Sequence, residues 1–205
     1  TEGLPPRLTA ATGMDAMCHA IEALHSLQRE PVADGLALHA IRLIKEFLPR
    51  AVDNGKDMAA RGQMLISANM AGSAFSNAQV GLVHALAHSV GAIFGVHHGL
   101  ANSILLPACL RYNADACDDV YLNVISALGM GTEGIQPDKA GEIVADKISE
   151  FTKKLGLPQR LRDVGVPEAG LKECSELALS DGAIVYNPKF ISDSAEILKV
   201  YKQAW

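Results

Sequence analysis

One segment of the chain contains no charged side chain. Residues 62–110 lack Asp, Glu, Lys and Arg, although an overall charged fraction of 20% would place about ten of them in these 49 positions. The apolar runs in the segment are broken by Ser, Asn, Gln and His, so none reaches the ~18–20 residues that a membrane-spanning helix needs. We therefore expect a buried protein interior, and four of the seven histidines lie inside it.

Composition and charge exclude several classes of protein. With 205 residues and 49% hydrophobic side chains, the chain can form one domain with a substantial core. Lys and Arg total 18 against 23 Asp and Glu, and the net charge of −5 argues against a nucleic-acid partner. The first residue is Thr1 and no secretory signal follows, which indicates a start internal to a longer protein.

The cysteines are scattered and form no C-x-x-C pair. They are Cys18, Cys109, Cys117 and Cys174. This spacing disfavours a zinc ribbon or a redox motif. We predict that they are buried apolar fillers in a reducing, cytoplasmic compartment.

The spacing of the apolar residues predicts an all-α fold. An extended lead-in is expected over residues 1–9, with Thr9 or Thr12 as the cap of the first helix. The predicted helices cover residues 9–27, 32–52, 57–75, 80–94, 100–110, 120–128, 138–155, 168–179 and 192–204. The helices at 80–94 and 100–110 have no polar face and are expected at the centre. Residues 182–186 form a modest strand candidate.

Six side chains of metal-ligand type follow a helical spacing. They are Asp15, His19, His84, His88, His97 and His98. The first two are four residues apart in a predicted helix, so both project from one face. His84 and His88 repeat that spacing, and His97 and His98 lie where the helix breaks. If the break turns one of His97 and His98 back towards the other candidates, the set offers one carboxylate and up to four imidazoles.

Imidazole and carboxylate together suit Zn or Fe(II). The spacing does not decide which of these groups bind. A metalloprotease is disfavoured because Ala85 stands where the H-E-x-x-H motif has its Glu. No G-x-S-x-G, P-loop or G-x-G-x-x-G motif is present. His25 and His39 have no partner of ligand type on their helices, so we interpret them as structural.

Two longer stretches resemble the signatures of a known family. Residues 10–23 (AATGMDAMCHAIEA) and 75–107 (FSNAQVGLVHALAHSVGAIFGVHHGLANSILLP) resemble the two signatures of the iron-containing alcohol dehydrogenases. Weaker similarity continues through residues 111–115 (RYNAD), 157–166 (LPQRLRDVGV) and 187–205. The resemblance therefore covers essentially the whole chain.

The resemblance implies a role for most of the candidate residues. The implied metal ligands are Asp15, His19, His84 and His98. His88 matches a histidine near the nicotinamide, which implies cofactor binding and a catalytic proton relay. His97 is expected outside the ligand set.

The resemblance also suggests positions for three further residues near the metal ligands. Phe75 and Val80 fall in the stretch that lines the alcohol pocket in relatives. Glu22 is expected to be a helix-face carboxylate, with a place beside the ligands as the alternative.

The fold and activity implied are those of half a subunit. The family has an N-terminal α/β domain that binds NAD(P) and a C-terminal all-α domain that holds the metal. Residues 1–205 resemble only the second, a helical bundle of the dehydroquinate synthase-like fold. The implied reaction is reversible oxidation of a small primary alcohol or diol to an aldehyde, with the alcohol oxygen on Fe(II) or Zn(II) and hydride transfer to the nicotinamide.

Without the nucleotide-binding domain of its own subunit, the chain is expected to bind about one divalent ion and to be inactive alone. Assembly into a homo-oligomer is compatible with the resemblance. One alternative is a non-catalytic helical fragment that binds metal or serves assembly. Another is a glycerol dehydrogenase-like, dehydroquinate synthase-like or maleylacetate reductase-like member of the superfamily, against which the complete ligand set argues.

Overall fold

The computed structural model describes residues 1–205, apart from the side chain at position 118. The α-helices of this described part are α1 (Pro6–His25), α2 (Pro31–Asp53), α3 (Met58–Ala78), α4 (Leu82–Phe94), α5 (His98–Asn113), α6 (Asp118–Ala127), α7 (Pro137–Lys154), α8 (Leu171–Leu179) and α9 (Ser194–Ala204). Short 3₁₀ helices occur at Ala114–Ala116, Leu161–Val164, Glu168–Gly170 and Gly182–Tyr186, and the described residues include no β-strand. The prediction of an all-α fold is confirmed.

Helix α5 lies at the centre of the bundle. It packs against α1, α4, α7 and α9, while α2 and α3 pack against α1. Ile104, Leu105 and Leu106 point to different sides of α5 and are all buried, which happens only when neighbours surround the helix. The prediction of a central helix is confirmed for α5 but wrong for α4, which has an exposed stripe that includes His88 and Ala92. Helix α5 brings residues of α1 and α4 close to one another.

The charge-free segment is not buried throughout, so this part of the sequence interpretation is wrong. Its first third forms α3, whose Leu65 and Ile66 side chains are 54% and 50% exposed. Only one stripe of α3, including Ser67, Ala71 and Ala74, packs into the bundle. The exposed part of α3 combines Leu65 and Ile66 with small and amide side chains, so the absence of charge alone does not establish burial.

Two local predictions are also wrong. Helix α1 starts at Pro6, with Pro5 as its N-cap, so the lead-in is shorter than predicted and neither threonine caps it. Proline suits the first helical turn because that turn's N–H groups have no intrahelical partner. The strand candidate Gly182–Tyr186 is a 3₁₀ helix, because the Asp181 side chain accepts a hydrogen bond from the Ala183 amide at 2.8 Å.

The link between α3 and α4 contains an unusual backbone conformation. Gln79 has φ 69° and ψ 168°, a region that is essentially restricted to glycine. Its amide donates to the Phe75 carbonyl and ends α3. The chain then passes through residues 80–81 and enters α4 at Leu82.

None of the described helices combines the length and the apolarity needed to cross a membrane. Cys18, Cys109, Cys117 and Cys174 are all buried, as predicted. The reducing, cytoplasmic compartment stays a prediction.

Candidate metal centre

Four of the six candidate side chains converge where α1, α4 and α5 meet. The cluster consists of Asp15, His19, His84 and His98, and one ligand atom from each lies within 4.8 Å of all the others. His98 Nε2 lies 3.3 Å from Asp15 Oδ1, and His84 Nε2 lies 3.9 Å from the same oxygen. This is the set that the family resemblance implies; its role in binding an ion stays a prediction.

Each helix brings its residues to the cluster for a local reason. Asp15 and His19 lie one turn apart on α1. Helix α4 ends at Gly95 in the left-handed conformation, and α5 begins three residues later at His98. A side chain at Gly99 would collide with the Ala11 carbonyl, so glycine allows the start of α5 to approach α1 closely.

An amide group lies among the candidate ligand atoms. Asn102 Nδ2 donates to Asp15 Oδ1 at 2.6 Å and lies 3.2 Å from His84 Nε2 and 3.0 Å from His98 Nε2. The Oδ1 atom of the same side chain is buried and has no hydrogen-bond partner. Asp15 Oδ1 and the Nε2 atoms of His84 and His98 thus converge on one amide nitrogen, an arrangement that also suits a cation. Three imidazole nitrogens and one carboxylate oxygen are donors that Fe(II) and Zn(II) accept, so these residues fit a divalent ion.

The surroundings set the protonation states that a ligand set needs. Burial opposes ionisation of Asp15, but the hydrogen bond from His98 and the charge of His19 outweigh it and lower the Asp15 pKa to about 2. Burial, together with the nearby His84, lowers the pKa of His19 to about 4. The hydrogen bond to Asp15 raises the pKa of His98. Near pH 7 the carboxylate is charged and His19 is neutral, as metal coordination requires.

Aromatic stacking fixes the His19 ring. The ring lies between Phe75, at a centroid distance of 4.3 Å, and His84, at 4.6 Å, and both contacts are nearly parallel. Phe75 is therefore next to the cluster, on the last turn of α3. Val80 is half-buried in the link that follows. Their role in lining an alcohol pocket stays a prediction.

His88 lies beside the cluster but outside it, as the resemblance implies. Its ring stacks on His98 at 5.4 Å, and its side chain is 46% exposed. The Nδ1 atom is 2.8 Å from Asp181 Oδ2. His97 is exposed on the far side of the α4–α5 break, in a surface groove with Leu8.

The two histidines interpreted as structural lie away from the cluster. His25 is buried, with Nδ1 3.2 Å from the Tyr121 hydroxyl, and His39 is exposed on α2. Neither belongs to a metal-type group among the described residues.

Sequence reasoning missed two residues of this region and favoured the wrong position for a third. Glu22 is fully buried and contacts His84, so the helix-face expectation is wrong and the alternative, a place beside the ligands, agrees with the structure. A signal was available, because Asp15, His19 and Glu22 follow the i, i+4, i+7 spacing of one helix face. For Asn102 and Asp181 the sequence carries no comparable signal, since both reach the site only through tertiary packing.

The fold and the cluster define a helical domain with one candidate metal centre on the described residues. Residues 9–205 match the sequence pattern of the family described as "Fe-containing alcohol dehydrogenase family, C-terminal". The chain therefore belongs to the iron-containing alcohol dehydrogenase family, and it corresponds to the family's C-terminal domain. The resemblance noted for residues 10–23 and 75–107 is confirmed.

Named relatives agree with this assignment. The chain is 41% identical over 203 residues to the 1,3-propanediol dehydrogenase of Citrobacter freundii, covering 99% of this chain and 52% of that protein. It is 36% identical to the NAD-dependent methanol dehydrogenase of Bacillus methanolicus, covering 95% and 52%. A crystal structure of a 1,3-propanediol oxidoreductase superposes with a TM-score of 0.97 at 40% identity, covering 100% of this chain and 53% of that one. The chain thus spans about half the length of the relatives it matches.

Proposed function

We propose that the chain is the catalytic-metal half of an NAD(P)-dependent alcohol dehydrogenase. Asp15, His19, His84 and His98 would hold one Fe(II) or Zn(II) ion. The observation that carries the proposal is the convergence of these four groups around the Asn102 amide. When bound, such an ion supplies Lewis-acid chemistry that lowers the pKa of an alcohol hydroxyl.

The substrate class in this proposal is a small primary alcohol or diol. The relatives named for 1,3-propanediol and methanol support it. Phe75, held against His19, and Val80 in the next link would supply apolar surface for the carbon chain of the substrate.

His88 has the surroundings of a proton acceptor. The Asp181 carboxylate accepts from Nδ1, which leaves the Nε2 lone pair to take the hydroxyl proton. The exposed part of the ring can pass that proton to water. Hydride transfer needs NAD(P), whose binding we assign to a domain outside this chain, since the chain spans only half of its relatives.

Metal analysis of the purified chain tests the proposal. We expect about one divalent ion per chain by elemental mass spectrometry after loading with Zn²⁺ or Fe(II) under reducing conditions. The double variant His84→Ala/His98→Ala should retain none, because two of the four ligands are gone. His39→Ala, which removes an exposed histidine of α2, is the matched control and should load as wild type does. An unloaded wild-type chain, or equal loading of the double variant, would contradict the proposal.

A further inference from the structure

Glu22 is a buried carboxylate with an unusual set of partners. It lies on α1, one turn beyond His19, and its residue exposure is 0%. A buried carboxylate is costly unless its oxygens accept hydrogen bonds. Oε1 accepts from the backbone amides of Gly81 at 3.1 Å and Val83 at 2.8 Å, and Oε2 contacts His84 Nδ1. All of its partners therefore belong to the start of α4.

Two of these bonds cap α4. The N-cap position is Gly81, which has no side chain to accept from the first amides of the helix. Glu22 supplies that acceptor from a different helix, and its negative charge also suits the positive end of the α4 dipole. The carboxylate is thereby fixed in place independently of His84.

The third bond determines how His84 is protonated. A carboxylate oxygen can only accept, so His84 Nδ1 carries the proton and Nε2 keeps its lone pair. Independent support comes from the other side of the ring, where Asn102 Nδ2 can only donate to Nε2, at 3.2 Å. Nε2 is also the atom that faces Asp15 and the rest of the cluster.

We propose that Glu22 is a positioning residue of the metal centre: it holds His84 in the Nδ1–H tautomer and so presents Nε2 as the ligand atom. The inference rests on the proposed function, because only a metal centre provides an ion for His84 Nε2 to bind. Partners that orient a ligating histidine in this way usually contribute 10–100-fold to metal affinity.

The substitution Glu22→Gln separates the two roles of this residue. Its Oε1 can still accept from the amides of Gly81 and Val83, so the cap of α4 is retained. Its NH₂ group now faces His84 Nδ1 and donates, which forces the proton onto Nε2. We expect thermal unfolding close to wild type, a switch to the Nε2–H tautomer, and Zn²⁺ affinity reduced by 10–100-fold.

Two measurements on the full 205-residue chain follow these changes. Long-range ¹H–¹⁵N spectra of the ion-free chain identify the unprotonated ring nitrogen of His84, and competition with a chromophoric chelator gives the Zn²⁺ affinity. Glu196→Gln is the matched control, since this carboxylate accepts from the Tyr112 hydroxyl at 2.7 Å, on α9. It should change neither the His84 tautomer nor the Zn²⁺ affinity.

The outcomes distinguish this inference from the proposed function. If the wild-type chain binds no Zn²⁺, the proposed function fails, whatever the tautomer of His84. If it binds Zn²⁺ and Glu22→Gln has the same affinity and tautomer, the inference is overturned. Should Glu22→Gln not fold, the wild-type spectrum still decides, because an Nε2–H tautomer in that spectrum contradicts the inference on its own.

Discussion

At the scale of single residues, His25 shows how burial alone changes the chemistry of a histidine. Its ring is enclosed between α1 and α6, with Nδ1 at the Tyr121 hydroxyl and no partner for Nε2. Burial lowers its pKa to about 4, and the nearby Glu22 charge offsets only part of this effect. His25 therefore stays neutral in the folded chain at pH values where an unfolded chain would protonate it.

This difference predicts acid sensitivity. The unfolded chain protonates His25 near pH 6.5, whereas the folded chain protonates it only near pH 4. Protonation therefore favours the unfolded state, and its cost to the unfolding free energy is absent above pH 6.5. As the pH falls from 6.5 towards 4, about 3 kcal/mol of unfolding free energy should be lost. His25→Gln, which cannot protonate, should remove that part of the loss in urea titrations across this range.

His39→Gln removes an exposed histidine of α2 and is the matched control. If the unfolding free energies of wild type and His25→Gln have the same pH dependence, His25 has the same pKa in the folded and unfolded chains, which would contradict the prediction.

At the scale of elements, the α3–α4 link stores strain next to the cluster. Gln79 adopts a backbone conformation that costs a side-chain-bearing residue about 1–3 kcal/mol. Glycine removes that cost and keeps the amide that donates to Phe75. We expect Gln79→Gly to raise the unfolding free energy by about 1 kcal/mol, or the midpoint by about 2–4 °C.

The same substitution at Gln63, in the interior of α3, is the control. There glycine should lower stability by about 1 kcal/mol, because it loses more backbone entropy in a helix. Destabilisation at both positions, measured by denaturant unfolding, would show that Gln79 is not strained.

The elements also show what a sequence can and cannot specify here. Periodicity located most helices, and Asp57 caps α3 as predicted, since capping and amphipathicity are local. The ends that depend on proline or on a side-chain cap, at Pro6 and at Asp181, were missed. Spacing placed Asp15 and His19 on one helix face but did not decide which of the other histidines are metal ligands. Only the family resemblance selected His84 and His98. The buried contacts of Glu22 and Asn102 depend on how the helices pack and could not be predicted from the sequence.

At the scale of the whole molecule, the chain resembles its relatives over only about half of their length. Its described part has a candidate metal centre and the exposed, charge-free stripe of α3 around Leu65 and Ile66. Under the proposed function, the nicotinamide must come from a domain outside these residues.

The isolated chain should therefore load metal and yet show no NAD(P)-dependent oxidation of 1,3-propanediol or other primary alcohols. The measurement is nicotinamide absorbance with Zn²⁺- or Fe(II)-loaded chain, and a longer polypeptide that includes the preceding half is the positive control. Turnover by the 205 residues alone would disprove the need for a second domain.

The Asn102 amide has a consequence for how the protein matures. Small zinc-dependent domains stay unfolded until metal arrives, because nothing else holds their ligands together. Here the amide already engages Asp15, His84 and His98, so the three helices can pack without waiting for an ion. Under the proposed function, folding and metal loading become separate events in time. We therefore expect the ion that is bound to depend on the metal available at loading as well as on the ligand set.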